Sequence, residues 1–329
     1  MNTQGRTPRH FGKMSTRGNK IEIYKFEGNV KLVNKGRFFN TNRDLTEHIE
    51  KEWSPKRQAG WDNAWMPLVK NIIYNSEGDV KIKTGFMNYT QASGCIDAIK
   101  KKKSFAPNEG VIRNVGVGLF PLTNDGYLIL NKRDLDAHAG GLVNEPSGYM
   151  CSRFSDLEDC SDVRHVTRRK HIDTILNIKE QAERRMIKKE FKGIKREDIK
   201  LDRNPSSLCF GYQDSFEGDF GMVARLDLDK KEFSDFNFEE ETYFVPVEEL
   251  RELIMNQGEL INVDAKRYKT DDIRKLPLLD LTLGGLVGGV YESITNEKFD
   301  LLRYLRESGL DINIKSGEYE ESFSFPMRY

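Results

Sequence analysis

The stretch "QAERRMIKKEFKGI", Gln181–Ile194, decides how the centre of this chain is read. Its apolar side chains recur at helical spacing, so we predict a helix over 182–192 with Ala182 and Ile187 buried against a sheet. Its charged positions hold five basic residues and two acidic ones. Periodicity alone allows two interpretations: a helix that presents functional groups to a ligand, or an ordinary surface helix whose charged side faces water.

The segments around this helix read as strands. "VIRNVGVGLFPLT" (111–123) and "YLILNKR" (127–133) are apolar runs joined by "NDG", a strong hairpin signal. After the helix come "SLCFGY" (207–212), "FGMVARLDL" (220–228) and the strand-then-helix pattern "TYFVPVEELRELI" (242–254). This order predicts an α/β fold, in which a mixed sheet carries helices on both faces.

Changes in composition divide the chain into segments. We predict a flexible tail over 1–20, an N-terminal α+β domain over 21–105, a central domain over 111–270 with an insertion at about 150–179, and a C-terminal helical extension over 271–329. The stretch "KKKKSFAPNEG" (100–110) has the charge, Pro and Gly of a linker. Within the N-terminal domain, "DLTEHIEKEW" predicts a helix with Asp44 as its N-cap.

The overall composition excludes several classes of protein. The 329 residues carry 52 Lys+Arg and 52 Asp+Glu, so no global charge draws the chain to nucleic acid or to a membrane. No apolar run approaches the roughly 20 residues that span a bilayer. The basic first 20 residues lack the apolar core of a secretory signal, and a transit peptide is the alternative to a tail. Four cysteines in a chain of this length indicate reduced thiols. We expect a cytoplasmic protein, and a homo-oligomer stays open.

The region over about 111–262 resembles the Nudix hydrolase family. The hairpin "GVGLFPLTNDGYLILNKRD" looks like the opening hairpin of that family, and "EPSGYM" (145–150) is similar to the glycine turn that begins its Nudix box. "QAERRMIKKEFKG" looks like the helix of the box, and "TYFVPVEELRELI" resembles the late strand and helix. The resemblance implies a Nudix-like α/β/α sandwich.

The box helix departs from the pattern of the family, which is Gly-x5-Glu-x7-Arg-Glu-U-x-Glu-Glu-x-Gly-U with U bulky and apolar. When Arg185 is aligned with the Arg of that pattern, Met186 and Lys189 stand where glutamates are expected. Glu190 is retained, and the closing glycine is displaced by one position to Gly193. A thioether is a poor Mg²⁺ ligand, and an ammonium repels cations although it can bind a phosphate. We therefore expect weak metal binding and slow or absent hydrolysis.

The resemblance implies roles for particular residues. Those expected in catalysis are Arg185, which would orient the helix carboxylate, Glu190 and, as general base, Glu217. Asp219 is the neighbouring candidate for that base, and a plain Gly/Asp turn is the simpler explanation of "YQDSFEGDFG" (212–221). Contacts to phosphate would come from Lys132, Arg133, Gly148 and Lys189. Metal, Mg²⁺ or Mn²⁺, would be held by Glu190 with Glu183.

The leading functional prediction is recognition of a nucleoside-diphosphate-linked ligand, with Mg²⁺-dependent hydrolysis of its pyrophosphate if the site is active. The alternative is a catalytically inactive Nudix-like module that binds a nucleotide or a protein. Nucleic-acid binding through the basic stretch from Arg164 to Arg203 is weaker, because aromatic residues do not interleave with its charges. Cys151, Cys160, His165 and His171 lack the short Cys pair that is typical of structural zinc sites.

Overall fold

The computed structural model describes most of the strands and helices of the chain, but not several of the connections between them. The described residues are 11–16, 19–58, 63–75, 77–107, 112–133, 141–151, 172–173, 175–211, 217–236, 238, 241–255, 278–300, 303–304 and 320–322. Among them, no helix is both long enough and apolar enough to cross a membrane.

The described chain contains fourteen strands and six α-helices. The strands are β1 (Phe11–Thr16), β2 (Asn19–Lys25), β3 (Val30–Phe38), β4 (Trp65–Tyr74), β5 (Val80–Asn88), β6 (Asn114–Leu122), β7 (Tyr127–Lys132), β8 (Val143–Asn144), β9 (Ser147–Tyr149), β10 (Ile199–Leu201), β11 (Ser207–Gly211), β12 (Glu217–Leu226), β13 (Glu241–Pro246) and β14 (Glu320–Ser322). The helices are α1 (Arg43–Gln58), α2 (Tyr89–Lys100), α3 (Ile178–Arg185), α4 (Leu250–Met255), α5 (Asp280–Gly285) and α6 (Tyr291–Thr295). Two π-turns, Met186–Glu190 and Leu286–Val290, continue α3 and α5.

The strands form one large mixed sheet. Its main path runs β1-β2-β11-β12-β6-β4-β5-β3. The pairs β12–β6 and β3–β5 are parallel, and the other pairs along the path are antiparallel. A mixed sheet with helices on both faces is the α/β class that the sequence predicts, and that prediction is confirmed.

Side-chain alternation along the central strands separates two apolar clusters. In β6, Val117 and Leu119 pack in the cluster that contains Ala182 of α3, whereas Phe120 packs with Leu283 of α5. Because neighbouring strand residues point to opposite faces, α3 and α5 must cover opposite faces of the sheet. The core is therefore layered as helix, sheet, helix.

The predicted hairpin is confirmed, but its two strands separate. Gly126 occupies the turn with φ of 83°, a conformation that favours glycine. β6 and β7 are paired only at Leu122 and Leu128, next to the turn. Beyond that point β7 pairs with β8 and β6 pairs with β9. The segment 143–149 therefore crosses between the diverging strands, and it places Gly148 beside the middle of β6.

Several local predictions differ from the structure or fall outside it. The N-cap of α1 is Asn42, whose side chain accepts from the backbone N–H of Leu45 at 2.8 Å, so the prediction of Asp44 was wrong. Part of the stretch expected to be a tail, residues 11–16, forms β1. β2 pairs with β11, so strands from before and after the predicted domain boundary share one sheet, and the division itself stays a prediction.

The described C-terminal part contains two short helices instead of one continuous helix. α5 and α6 are separated by a π-turn in which Gly289 has φ of 142°, and this conformation breaks the helix. Of the helical extension predicted over 271–329, the structure describes 278–300, 303–304 and 320–322, and most of the insertion at 150–179 lies outside the described residues.

Candidate functional site

The stretch Gln181–Ile194 contains the second half of α3 and the π-turn after it. The side chain of Asn177 caps α3 by accepting from the backbone N–H of Glu180. Ala182 is fully buried, as predicted, and Ile187 packs against the same cluster from a half-buried position. Met186 is also fully buried in that cluster. It therefore does not share a solvent-facing side with Glu190, although the Nudix pattern has a glutamate at its position.

The π-turn accounts for the displaced glycine. The N–H of Phe191 donates to the carbonyl of Met186, five residues earlier, at 2.9 Å. A turn closed in this way contains one residue more than an α-helical turn, so everything after it moves one position along the sequence. Gly193 ends the segment with φ of 103°, as a glycine after a helix commonly does. The extra residue in the sequence is therefore an extra residue in the helix.

The same turn brings Arg185 and Glu190 together. The Nε of Arg185 lies 3.1 Å from Oε1 of Glu190, and the two side chains are 16% and 13% exposed. Five residues along an α-helix correspond to about 500° of rotation, which would turn these side chains well apart. Closing the turn at i to i+5 places them on one side. The expected contact between this arginine and the helix carboxylate is present.

Gly148 leaves the space that Arg185 occupies. A Cβ atom at this position would lie 1.8 Å from Cζ of Arg185, so the guanidinium at the end of that side chain would have to move. The glycine turn and the helix are therefore in direct contact. The Nudix resemblance predicts that Gly148 and Arg185 belong to one site, and their contact gives a steric reason for glycine at position 148.

Two buried carboxylates lie on the sheet beside this contact. Glu145 precedes the glycine turn and is 1% exposed, and Asp219 in β12 is 9% exposed. A Cβ at Gly118 would lie 2.3 Å from Oε1 of Glu145, and one at Gly116 would lie 2.3 Å from Oδ1 of Asp219. The glycines of β6 thus provide room for both acids. Oε2 of Glu145 also accepts a short hydrogen bond from the hydroxyl of Thr282 in α5.

Burial shifts the titration of both acids upward. Desolvation, reinforced by the charge of Asp219, raises the pKa of Glu145 to about 8. Desolvation also raises the pKa of Asp219 to about 6, although Arg185 and Arg133 act to lower it. Burial therefore favours the protonated form of both acids, and more strongly for Glu145 than for Asp219. Both guanidinium groups are therefore close enough to Asp219 to favour its ionised form.

Several of the other residues predicted for the site have different partners or have side chains outside the described residues. Lys132, at the end of β7, pairs with Glu241 of β13 at 3.2 Å. Glu183 pairs with Arg196 at 2.8 Å instead of approaching Glu190. Glu217 lies in β12 opposite Asn114. The side chains of Glu217 and Lys189 lie outside the described residues, as do Cys160, His165 and His171, so their predicted roles stay predictions.

The described donors of α3 do not fit a Mg²⁺ site. Mg²⁺ requires several oxygen ligands around one point. Glu190 is paired with Arg185, Glu183 with Arg196, and Met186 is in the core. Within the described chain, the one group of three potential ligands lies in the N-terminal part and consists of His48, Glu52 and Asp97. Lys101 pairs with both of its acids, so a cation already occupies that group.

Sequence reasoning underrated the two buried acids. The sequence offers Asp219 as an alternative to Glu217 and places Glu145 at the start of the glycine turn, but it does not indicate that both acids are buried together. The available signal was a carboxylate inside the apolar strand pattern "EGDFGMVARL", because burying an acid in a strand costs free energy and so indicates a functional or structural role.

Comparison with known proteins gives a distant relation in fold. No protein-family model and no curated protein matches this sequence. Among solved structures, the chain is similar to a Nudix hydrolase from M. smegmatis, RenU, with 12% identity and a TM-score of 0.27. That similarity covers 52% of this chain and 79% of the other. It concerns the fold alone and carries no information on ligand or activity.

Proposed function

We propose that this chain is a Nudix-like protein that recognises a nucleoside-diphosphate-linked ligand and hydrolyses it slowly or not at all. The observation that carries the proposal is the packing of Arg185 against Gly148 and of Asp219 against Gly116, with the charge of Arg133 also acting on Asp219. Guanidinium groups bind phosphate oxygens through paired hydrogen bonds. In this proposal Arg133 and Lys132 contact phosphate, while Arg185 holds Glu190 in place.

The charge balance of the site supports an anionic ligand. Burial favours the neutral form of Glu145, because desolvation raises the pKa of its carboxyl. The negative charges of Asp219, Glu190 and Glu241 are then matched by the positive charges of Arg133, Arg185 and Lys132, of which Lys132 pairs with Glu241. A site intended for two or three divalent cations needs an excess of carboxylates. This balance favours a phosphate over a cluster of cations.

The same features argue against efficient hydrolysis. Activation of water on a diphosphate normally requires divalent cations held by carboxylates. The helix presents Glu190 already engaged by Arg185, and the thioether of Met186 lies in the core. A cytoplasmic location belongs to the same proposal, and it is supported by the described cysteines Cys95, Cys151 and Cys209, which form no disulfide.

A ligand screen tests the proposal. Thermal stability of the full chain is measured with a panel of nucleoside-diphosphate derivatives, first in EDTA and then with Mg²⁺ or Mn²⁺, and released phosphate is read after phosphatase treatment. We expect at least one derivative to raise the melting temperature in EDTA, with little phosphate released.

Matched variants connect a stabilising derivative to the site. Replacing Lys132 and Arg133 together by Gln should weaken binding about tenfold or more, because two charge-assisted contacts are lost. The control is Lys195→Gln, which removes an exposed positive charge beyond the helix. No stabilisation by any derivative, or equal loss in the control, would contradict the proposal. Rapid Mg²⁺-dependent release of phosphate would restore hydrolysis as the function.

A further inference from the structure

A cleft of about 460 Å³ lies at the far edge of the sheet, between β3, the start of α3 and the loop 203–205. Its floor includes the buried side chains of Leu32, Ile178 and Met222. Five consecutive residues of β3, 30–34, line it. Because side chains alternate between the faces of a sheet, five consecutive residues can border one cleft only if it runs along the backbone edge of the strand.

This edge of β3 offers backbone hydrogen-bonding groups. β3 pairs with β5 on one side, and no strand in the described chain pairs with its other side. The N–H of Val80 in β5 donates to the carbonyl of Asn29 at 2.8 Å, which fixes the phase of the ladder. In a parallel ladder, alternate residues direct both N–H and C=O to the partner strand. The backbone N–H and C=O of Lys31 therefore point to β5, whereas those of Val30 and Leu32 point toward the cleft.

The walls of the cleft are positively charged. Lys31, Lys179 and Arg203 line it against a single acid, Asp173, and all four are exposed. An occupant with negative side chains is favoured on this ground, and a basic one is disfavoured.

We propose that this cleft binds an extended acidic peptide segment of a partner protein, which adds to β3 as a further strand. Outward-facing donors and acceptors recur every second residue, about 6.6 Å apart, and only another extended backbone matches that spacing. The acidic side chains would approach Lys31, Lys179 and Arg203. This is a binding site beyond the proposed nucleotide site, although it contacts the beginning of the same helix, α3.

Fluorescence anisotropy with the full chain tests the charge requirement. The probe is a fluorescein-labelled peptide of about six residues in which Glu and Val alternate. We expect it to bind saturably, and a Lys/Val peptide of the same length not to bind. Combining Lys31→Glu with Arg203→Glu should weaken binding about fivefold or more. The control is Lys81→Glu, an exposed residue paired with Lys31 in β5 but outside the cleft. Equal binding by the double variant, or equal loss in the control, overturns the proposal.

Backbone methylation tests strand addition separately from charge. Two further versions of the Glu/Val peptide carry N-methyl groups on alternate amides, in opposite phase. Only amides that face β3 are needed for pairing, so one version should retain binding while the other loses it. Equal affinity of the two versions, whether both bind or both fail, overturns strand addition.

Discussion

The buried carboxyl of Glu145 should make the stability of this protein fall as pH rises. Burial beneath α5 raises its pKa from 4.5 to about 8. Between those values the unfolded chain has released this proton and the folded protein still holds it. The unfolded state then binds fewer protons, so the free energy of unfolding decreases with increasing pH, by about 1.4 kcal/mol per pH unit for one proton. Below pH 4.5 the contribution is fully present, and it is lost as pH rises toward 8.

Glu145→Gln isolates this effect because the amide keeps the shape of the side chain and stays neutral. Its oxygen can still accept from Thr282, as the carboxyl does in the wild type. Between pH 6 and 8 we expect the variant to gain about 2–3 kcal/mol relative to the wild type. Urea unfolding followed by circular dichroism at several pH values measures the difference. Glu77→Gln, at an exposed carboxylate, is the control. A difference between Glu145→Gln and wild type that does not change with pH would refute the reasoning.

Three further changes test separate contacts. Gly148→Ala should expel the guanidinium of Arg185, since the new Cβ would lie 1.8 Å from Cζ, and ligand binding in a calorimetric titration should weaken; unchanged binding would show that the contact is dispensable. Met186→Glu should lower the free energy of unfolding by about 3 kcal/mol, because it places a carboxylate in the core; increased Mg²⁺ affinity without loss of stability would contradict the burial. Arg113→Ala should lower the free energy of unfolding by about 3–5 kcal/mol, because it removes the buried guanidinium that donates to the carboxylate of Glu22 at 2.8 Å; urea unfolding measures the loss, and a much smaller loss would contradict the prediction.

Local signals predicted the elements that depend on neighbouring residues. The turn at Gly126 is specified by Asn-Asp-Gly, and the flanking strands by continuous apolar runs, so the hairpin could be read directly. The helix that contains Ala182 followed from its 3.6-residue periodicity. In both cases a few adjacent residues carry the information.

Features that depend on distant residues could not be read in this way. The hydrogen bond between Thr282 and Glu145 joins positions 137 residues apart. The pairing of β2 with β11 likewise joins segments that no local pattern connects. The π-turn left one trace, the displacement of Gly193, but an insertion in a helix and an insertion in a loop look alike in sequence. For the same reason, the alignment alone did not show that Met186 lies in the core.

One measurement separates recognition by positive side chains from recognition through metal. The nucleoside-diphosphate derivative that stabilises the chain most is titrated calorimetrically into wild type and Glu190→Gln, each in EDTA and in Mg²⁺. If Arg133 and Lys132 hold the phosphates, all four dissociation constants should agree within about twofold. Binding that appears only with Mg²⁺ and disappears in Glu190→Gln would contradict this account, and would assign the helix carboxylate to a metal.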